Sequence, residues 1–249
     1  MKGLPLELAH FLADESACEY LPDRLARMEY RLLIGLQPPD LDRLLERGWR
    51  RFGPAVFRPA CATCGECISL RIDVDTFHAS RAQRRAHNRC RRLEVEMGPP
   101  QVDDERLALY ARWHAGREQR RGWQASPLDA ADYARTFASV DACSREVLYR
   151  EQGKLVGVGI SDETATAYSA VYFFHDPGLE RLSLGVNHVL TLIECARREG
   201  KRHVYLGYRL LDCMSMRYKA AFRPHQLLKG RPASDEAPRW ITGDRDEAG

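Results

Sequence analysis

Residues able to do chemistry fall into a few groups in this 249-residue chain. Arg81, Arg84, Arg85, Asn88, Arg89 and Arg92 recur at three- and four-residue steps, which places them on one face of a helix. With Arg91 counted, six arginines lie within residues 80–92, and no acid occurs from residue 76 to 93. Arginine grips phosphate oxygens bidentately, so the face fits a polyanion; a plain solvated helix face is the alternative. Six neutralised phosphates would give a log–log salt slope on the order of −5 by the duplex-DNA rule. The second group is Cys61-Ala-Thr-Cys64-Gly-Glu-Cys67, with Cys18 as a candidate fourth member. A C-x-x-C step puts two thiolates on one turn, and four thiolates suit zinc or an iron–sulfur cluster. Free thiols are the alternative. Cys90, Cys143, Cys195 and Cys213 are scattered and read as small buried apolar groups.

The third group is the turn Arg181-Leu-Ser183-Leu184-Gly185-Val186. A strand–helix turn presents unpaired backbone N–H groups that hold an anion or an oxyanion. The glycine-rich pyrophosphate loop of coenzyme A-dependent acetyltransferases is not met here, because Leu184 and Val186 occupy its small-residue positions. An ordinary helix start with Ser183 as N-cap is the alternative. Tyr205, Tyr208, Arg209, Tyr218 and Lys219 form the last group and can line a polar cleft beside that turn, although each tyrosine alone also reads as core. H-E-x-x-H, G-x-S-x-G, G-x-x-x-x-G-K-[ST] and G-x-G-x-x-G are all missing from the sequence, which removes the common metalloprotease, serine hydrolase and nucleotide-loop readings.

The elements that must position these groups follow from period and punctuation. Residues 26–35 alternate as a strand. Pro38-Pro39-Asp40 opens a short helix that Gly48 stops. WRRFGPAVFRP turns at Gly53-Pro54 as a hairpin, and Ile68, Leu70, Ile72 and Val74 alternate as a half-buried strand. Ser80 and Gln83 have capping-box spacing for a basic helix over residues 80–92. LEVEMG is a short strand, and Gly98-Pro99-Pro100 marks a boundary. Beyond it, two helices precede a hairpin at Gln152-Gly153. A strand over ATAYSAVYFFHDP, a helix over SLGVNHVLTLIECARREG, a strand over HVYLGYRLL and a short helix over SMRYKAAF follow. This order predicts an α+β or α/β chain: a mixed N-terminal domain, residues 1–97, and a three-layer domain, residues 98–230. Residues 231–249 are polar and expected to be mobile.

Lysine plus arginine number 38 against 35 acids, a net charge of +3, and 44% of residues are hydrophobic. These values fit a globular chain with a real core and exclude collagen and wholly disordered classes. No apolar run reaches the length of a membrane span, and acids come too early for a secretory signal, so the cytoplasm is the expected location.

Several stretches together resemble one family. Cys18-Glu-Tyr20-Leu21-Pro22-Asp23-Arg24, Phe57-Arg58-Pro59 leading into the cysteines, and Ser80-Arg-Ala-Gln83-Arg84-Arg85 are similar to the N-terminal domain of aminoacyl-tRNA–protein transferases. Tyr172-Phe173-Phe174-His175-Asp176-Pro177, Ser183-Leu184-Gly185, Tyr205-Leu206-Gly207-Tyr208 and Met216-Arg217-Tyr218-Lys219-Ala220-Ala221-Phe222-Arg223-Pro224 are similar to its C-terminal domain. The resemblance covers residues 10–228 in order and is closest to the bacterial, leucine-transferring branch. It departs at Ser215, Arg209, Asn187 and Cys90, where Lys, Trp, Tyr and a polar residue are usual, which leaves leucine and arginine both open as the transferred residue.

The resemblance implies an acetyltransferase-like second half used without coenzyme A. It implies transfer of an amino acid from aminoacyl-tRNA to proteins beginning with Asp or Glu, which marks them for degradation. In that frame Arg81, Arg84, Arg85, Arg89 and Arg92 would hold tRNA. Backbone N–H groups near Ser183 and Gly185 would stabilise the oxyanion or grip the terminal nucleotide. Tyr168, Tyr208 or Tyr218 would relay a proton, and Lys219 and Arg209 would meet the acidic acceptor side chain. Two rival classes remain: a coenzyme A-dependent N-acetyltransferase, which acetyl-CoA calorimetry would detect, and a non-catalytic metal-containing RNA-binding protein, for which so elaborate a second half is unnecessary.

Overall fold

The period-2 and period-3.6 stretches of the sequence become strands and helices that assemble around two sheets. The computed structural model describes residues 5–121, 128–138 and 142–243. In chain order these form β1 (Leu6–Leu12), β2 (Ser16–Ala17), β3 (Leu25–Ala26), β4 (Met28–Ile34), α1 (Pro38–Glu46), β5 (Arg50–Phe52), β6 (Ala55–Pro59), β7 (Ile68–Asp73), α2 (Arg81–Arg89) and β8 (Glu94–Gly98). Then come α3 (Asp104–Arg121), α4 (Ala130–Phe137), β9 (Ser144–Glu151), β10 (Lys154–Glu163), β11 (Ala167–His175), α5 (Leu184–Arg198), β12 (His203–Arg209), α6 (Met214–Arg217), β13 (Gln226–Leu228) and β14 (Trp240–Thr242).

The turn chemistry matches the sequence. Gln152 and Gly153 both take positive φ, 52° and 79°, as a two-residue hairpin requires. Ser80 caps α2 with the reciprocal Gln83 bond. Helix α2 closes at Arg89, shorter than expected, because the Cys90 N–H bonds the His87 and Asn88 carbonyls.

The large sheet has eight strands in the order β14-β13-β7-β12-β11-β10-β9-β8, and β1-β4-β6-β5 form a smaller one. All pairs in the large sheet are antiparallel except β11 with β12. Alternate side chains feed opposite layers. Val147, Tyr149, Tyr168, Val204 and Leu206 pack with α5. Leu148, Val158 and Phe174 pack with α3 and α4. Ala167 and Tyr205 pack with α1. Helices on both faces of a mixed sheet give the layered α/β architecture expected of the second half.

The sheet does not respect the expected division at residue 97. β7 lies between β13 and β12, and β8 pairs with β9. The apolar face of β7 is therefore covered by α5 from the other half, with Leu70 and Ile72 fully buried.

The stretch expected to be mobile is also anchored where it is described. Leu228 pairs with Trp240, whose ring lies against Tyr205 and under the Arg71 guanidinium, while its Nε1 donates to the Glu46 carbonyl at 3.0 Å. One aromatic with three good contacts outweighs the polar composition around it. Residues 244–249 of that stretch lie outside the described residues.

Candidate active site

The parallel pair β11/β12 is the seat of the site. The two strands are in register only from Ala167↔His203 to Ser169↔Tyr205. Both then change: β10/β11 shifts register at Ile160/Ser161, and β12/β7 shifts at Tyr205/Gly207, with Gly207 at φ +79°. Bulges on either side bend the strands and end their pairing. A cleft of about 460 Å³ opens where they part, lined by Ala170, Tyr172, Phe173, His188, Ser215 and Lys219 among others.

The turn into α5 forms one wall. Ser183 takes a left-handed conformation, φ 58° and ψ 46°, and its side chain makes no cap bond. Its carbonyl accepts from Val186 and Asn187 at 3.0 and 3.1 Å. Leu184 and Gly185 also line the cleft, and their N–H groups have no protein acceptor among the described residues. Two unpaired donors and the positive end of a 15-residue helix therefore face the opening. A Cβ at Gly185 would meet only Phe173, at 3.9 Å, so packing does not demand glycine there.

Tyr218 and Lys219, carried on the turn after α6, line the same cleft. Tyr218 is exposed, whereas Lys219 is buried. The Lys219 ammonium donates to the Tyr208 carbonyl at 3.2 Å. Burial, then the nearby Arg50 charge, pulls its pKa down to about 7.

The structure thus gathers Ser183, Gly185, Tyr218 and Lys219 in one place, and leaves three other expected residues out of it. Tyr168 points to the helix side of the sheet, where its hydroxyl donates to Glu199 at 2.7 Å. The Tyr208 hydroxyl is 3.0 Å from the Gly48 carbonyl and 3.2 Å from that of Phe57, behind the cleft. Neither is within reach of a substrate in the cleft. Arg209 is buried at the end of β12 and does not line the cleft.

Residue type does not tell which way Tyr208 and Arg209 point, because every residue of β12 is buried, and Tyr168 sits in a run of three buried residues at the start of β11. His188 is the converse case. It lines the cleft, stacks on Phe173 at 4.8 Å between ring centroids and meets the Tyr149 hydroxyl at 3.0 Å. Burial pushes its pKa down to about 3, so it is neutral at working pH. Nothing in the sequence distinguished it from its neighbours on a helix buried on several sides.

The basic helix borders this opening. Arg89 donates to the Ser183 hydroxyl at 3.0 Å, and His87 meets Asn187 at 3.1 Å, so α2 is clamped on the first turns of α5. Arg81, Arg84 and Arg85 are exposed and make no ion pair among the described residues. Arg92 lies past the helix end and pairs with Glu151 at 2.6 Å. Cys90, one of the departures from the resemblance, is buried and donates to the Leu182 carbonyl at 3.4 Å.

The cysteines share one neighbourhood on the far side of Tyr208. Cys61, Cys64 and Cys67 line a second cleft, and Cys18, Cys64 and Cys67 pack on Leu21, Tyr208, Leu210 and Cys213. Burial, and then the closeness of Cys18, Cys61 and Cys64, pushes the Cys67 thiol up to about 12. The donor set suits zinc or an iron–sulfur cluster chemically. Cys61 accepts from the Arg27 N–H at 3.4 Å and Cys64 from the Arg24 guanidinium at 3.4 Å. No three His, Cys, Asp or Glu side chains among the described residues converge as a metal site.

Family models for the arginine-tRNA–protein transferase N terminus and C terminus match residues 16–85 and 105–229. The chain belongs to this family. As an aminoacyl-tRNA–protein transferase, it uses aminoacyl-tRNA as co-substrate. It is 32% identical to the aspartate/glutamate leucyltransferase of Helicobacter hepaticus over 94% of this chain and 98% of that protein. It is 40% identical to that of Halorhodospira halophila over 86% and 91%. The structure of L-PGS from Bacillus licheniformis aligns over 70% of this chain and 51% of that one, with 15% identity and a TM-score of 0.45. No helix of this transferase, among the described residues, is long and apolar enough to cross a membrane.

Proposed function

We propose that this protein transfers leucine from leucyl-tRNA to the N-terminal α-amino group of proteins that begin with Asp or Glu. The new N-terminal leucine marks those proteins for degradation, and the reaction belongs in the cytoplasm with its tRNA substrate. One observation carries the reading beyond family membership. The two unpaired N–H groups at Leu184 and Gly185, the buried ammonium of Lys219 and the exposed arginines of α2 all border one cleft.

The chemistry is aminolysis of an activated ester. The neutral amine of the acceptor attacks the ester carbonyl carbon. The C–N bond forms, the bond to the terminal ribose oxygen breaks, and the proton lost by nitrogen is gained by that oxygen. An α-amino group has a reference pKa of about 7.7–8.0, so a useful fraction is neutral without a strong base. Positioning then supplies much of the rate. Leu184 and Gly185 N–H groups donate to the oxyanion. Tyr218 passes the proton to the ribose oxygen, a role its position in the cleft lining supports. Lys219 offers positive charge to the acceptor's acidic side chain. Arg81, Arg84, Arg85 and Arg89 receive acceptor-stem phosphates.

A single-turnover assay with labelled leucyl-tRNA and an Asp-initiated peptide, run beside arginyl-tRNA and an Ala-initiated peptide, tests this. Leucine should appear on the Asp peptide alone. Arginine transfer in its place would reassign the donor, and no transfer would remove the reading. Cys18, Cys61, Cys64 and Cys67 stay a candidate metal or cluster site within this proposal. Anaerobic purification followed by zinc, iron and sulfide analysis should find a stoichiometric occupant if they act together; none would make them free thiols.

A further inference from the structure

Strand β5 carries two adjacent arginines whose side chains leave on opposite faces, and they have opposite fates. Arg51 is buried and bonds the Asp162 carboxylate and the Ser144 hydroxyl. Arg50 is equally buried, and its Nη2 donates to the Ala170 carbonyl. Its Nη1 has no partner among the described residues. Ala170 follows the last β11 residue in register with β12 and lines the cleft. Arg50 therefore enters from the N-terminal sheet into the wedge where the two parallel strands part.

Lys219 reaches the same wedge from the other side. A side-chain carbon at Gly207 would lie 3.4 Å from Arg50 Nε and 3.5 Å from Lys219 Nζ, so the two cations flank one glycine. Neither makes an ion pair among the described residues. Arg106 and Lys201, also buried, are held by Glu146 and by Glu163, as Arg51 is by Asp162. Buried charges are ordinarily paired because desolvation otherwise outweighs their attraction to the surroundings. Two buried cations side by side, hydrogen-bonded to carbonyls and without an ion pair among the described residues, suit an anion.

We propose that Arg50 and Lys219 together receive the side-chain carboxylate of the acceptor's N-terminal residue, with Arg50 in the specificity role that charge complementarity had offered to Arg209. This rests on the acceptor class given above. An Asp or Glu carboxylate accepts from both cations, whereas the isosteric amide of Asn or Gln brings no charge to offset theirs. Gly207 places no side chain between them. Lys219 also shares the cleft with Leu184 and Gly185, so an acceptor anchored there presents its amine beside the proposed oxyanion donors.

The test is peptide discrimination. For the wild type and for Arg50→Met and Arg50→Lys, kcat/KM is measured with Asp-, Asn-, Glu- and Gln-initiated peptides at saturating leucyl-tRNA, together with the KM for leucyl-tRNA. Arg50→Met should lower kcat/KM for Asp and Glu peptides about 100-fold through peptide KM, and flatten the Asp-to-Asn ratio, with the tRNA KM unchanged. Arg50→Lys keeps the charge but not the forked donors and should lose about 10-fold; it carries the test alone if Arg50→Met does not fold. An unchanged Asp-to-Asn ratio in the folded variants, or a raised tRNA KM in its place, overturns the assignment and gives the anion to a tRNA phosphate. A wild type that transfers to no acidic peptide defeats the proposed function instead, a result distinct from either.

Discussion

Lys219 is a buried ammonium that donates to a carbonyl and makes no ion pair among the described residues, and this has two consequences. Its pKa falls from 10.5 to about 7, so from about pH 7 to 10.5 the unfolded chain binds the proton more tightly than the folded one. Stability tied to this group therefore rises with pH across that window and is lost as pH falls through 7. Lys219→Met should raise unfolding free energy by about 1–3 kcal/mol at pH 7, with the gap to wild type closing towards pH 10; chemical denaturation at both pH values checks it. The same substitution should abolish acidic-acceptor preference. With an Asp peptide, wild-type kcat/KM should rise as the acceptor amine loses its proton and fall as Lys219 loses its own. In Lys219→Met the rising limb alone should remain. An unaltered preference for Asp over Ala peptides would remove Lys219 from recognition. At this scale the sequence was a partial guide. The run Met216 to Pro224 and the Ser183-Leu184-Gly185 turn meet in one cleft, as their types allowed. Tyr168, Tyr208 and Arg209 fit the cleft by residue type, but consecutive buried residues on β11 and β12 leave no alternation to reveal direction. Arg50 was read only as part of a hairpin, and its role depends on a wedge made by strands more than a hundred residues away.

At the scale of elements, helix α2 was the most legible feature. Its capping box, its length to within a few residues and its acid-free face all follow from local sequence. Its position against Ser183 does not. Replacing Arg84 and Arg85 together with Glu should raise the KM for leucyl-tRNA at least 10-fold, leave kcat at saturating tRNA nearly unchanged and reduce the salt slope by about 2. Unaltered tRNA binding would leave α2 a solvated face. Two glycines separate packing from catalysis. A Cβ at Gly159 would fall 2.1 Å from the His188 ring, so Gly159→Ala should expel His188 and cost about 2–3 kcal/mol of stability. Gly185 has open space around it, so Gly185→Val should leave the melting temperature within a few degrees and still reduce transfer by narrowing the cleft beside the oxyanion donors. Melting curves and single-turnover rates on both variants distinguish the two effects.

Across the whole molecule, the sheet joins what the sequence divides. β8 ends at Gly98 before Pro99 and Pro100, and the family models part between residues 85 and 105, yet β7 is hydrogen-bonded between β12 and β13. Strand order is a long-range property that no local pattern reports. The same holds for Trp240, whose polar neighbours suggested a free end. Truncation after residue 237 removes β14 and the Trp240 contacts and should lower stability by about 2–4 kcal/mol; an unchanged unfolding midpoint would return this stretch to the status of a loose tail. The larger consequence is that Arg50 and α2, from the first half, are hydrogen-bonded to Ala170 and Ser183, which line the cleft of the second. The most direct test of that arrangement is single-turnover transfer from labelled leucyl-tRNA to an Asp-initiated and an Asn-initiated peptide in parallel. The cleft described above predicts rapid transfer to the first and at least a 100-fold slower transfer to the second. Equal rates on both peptides would contradict it.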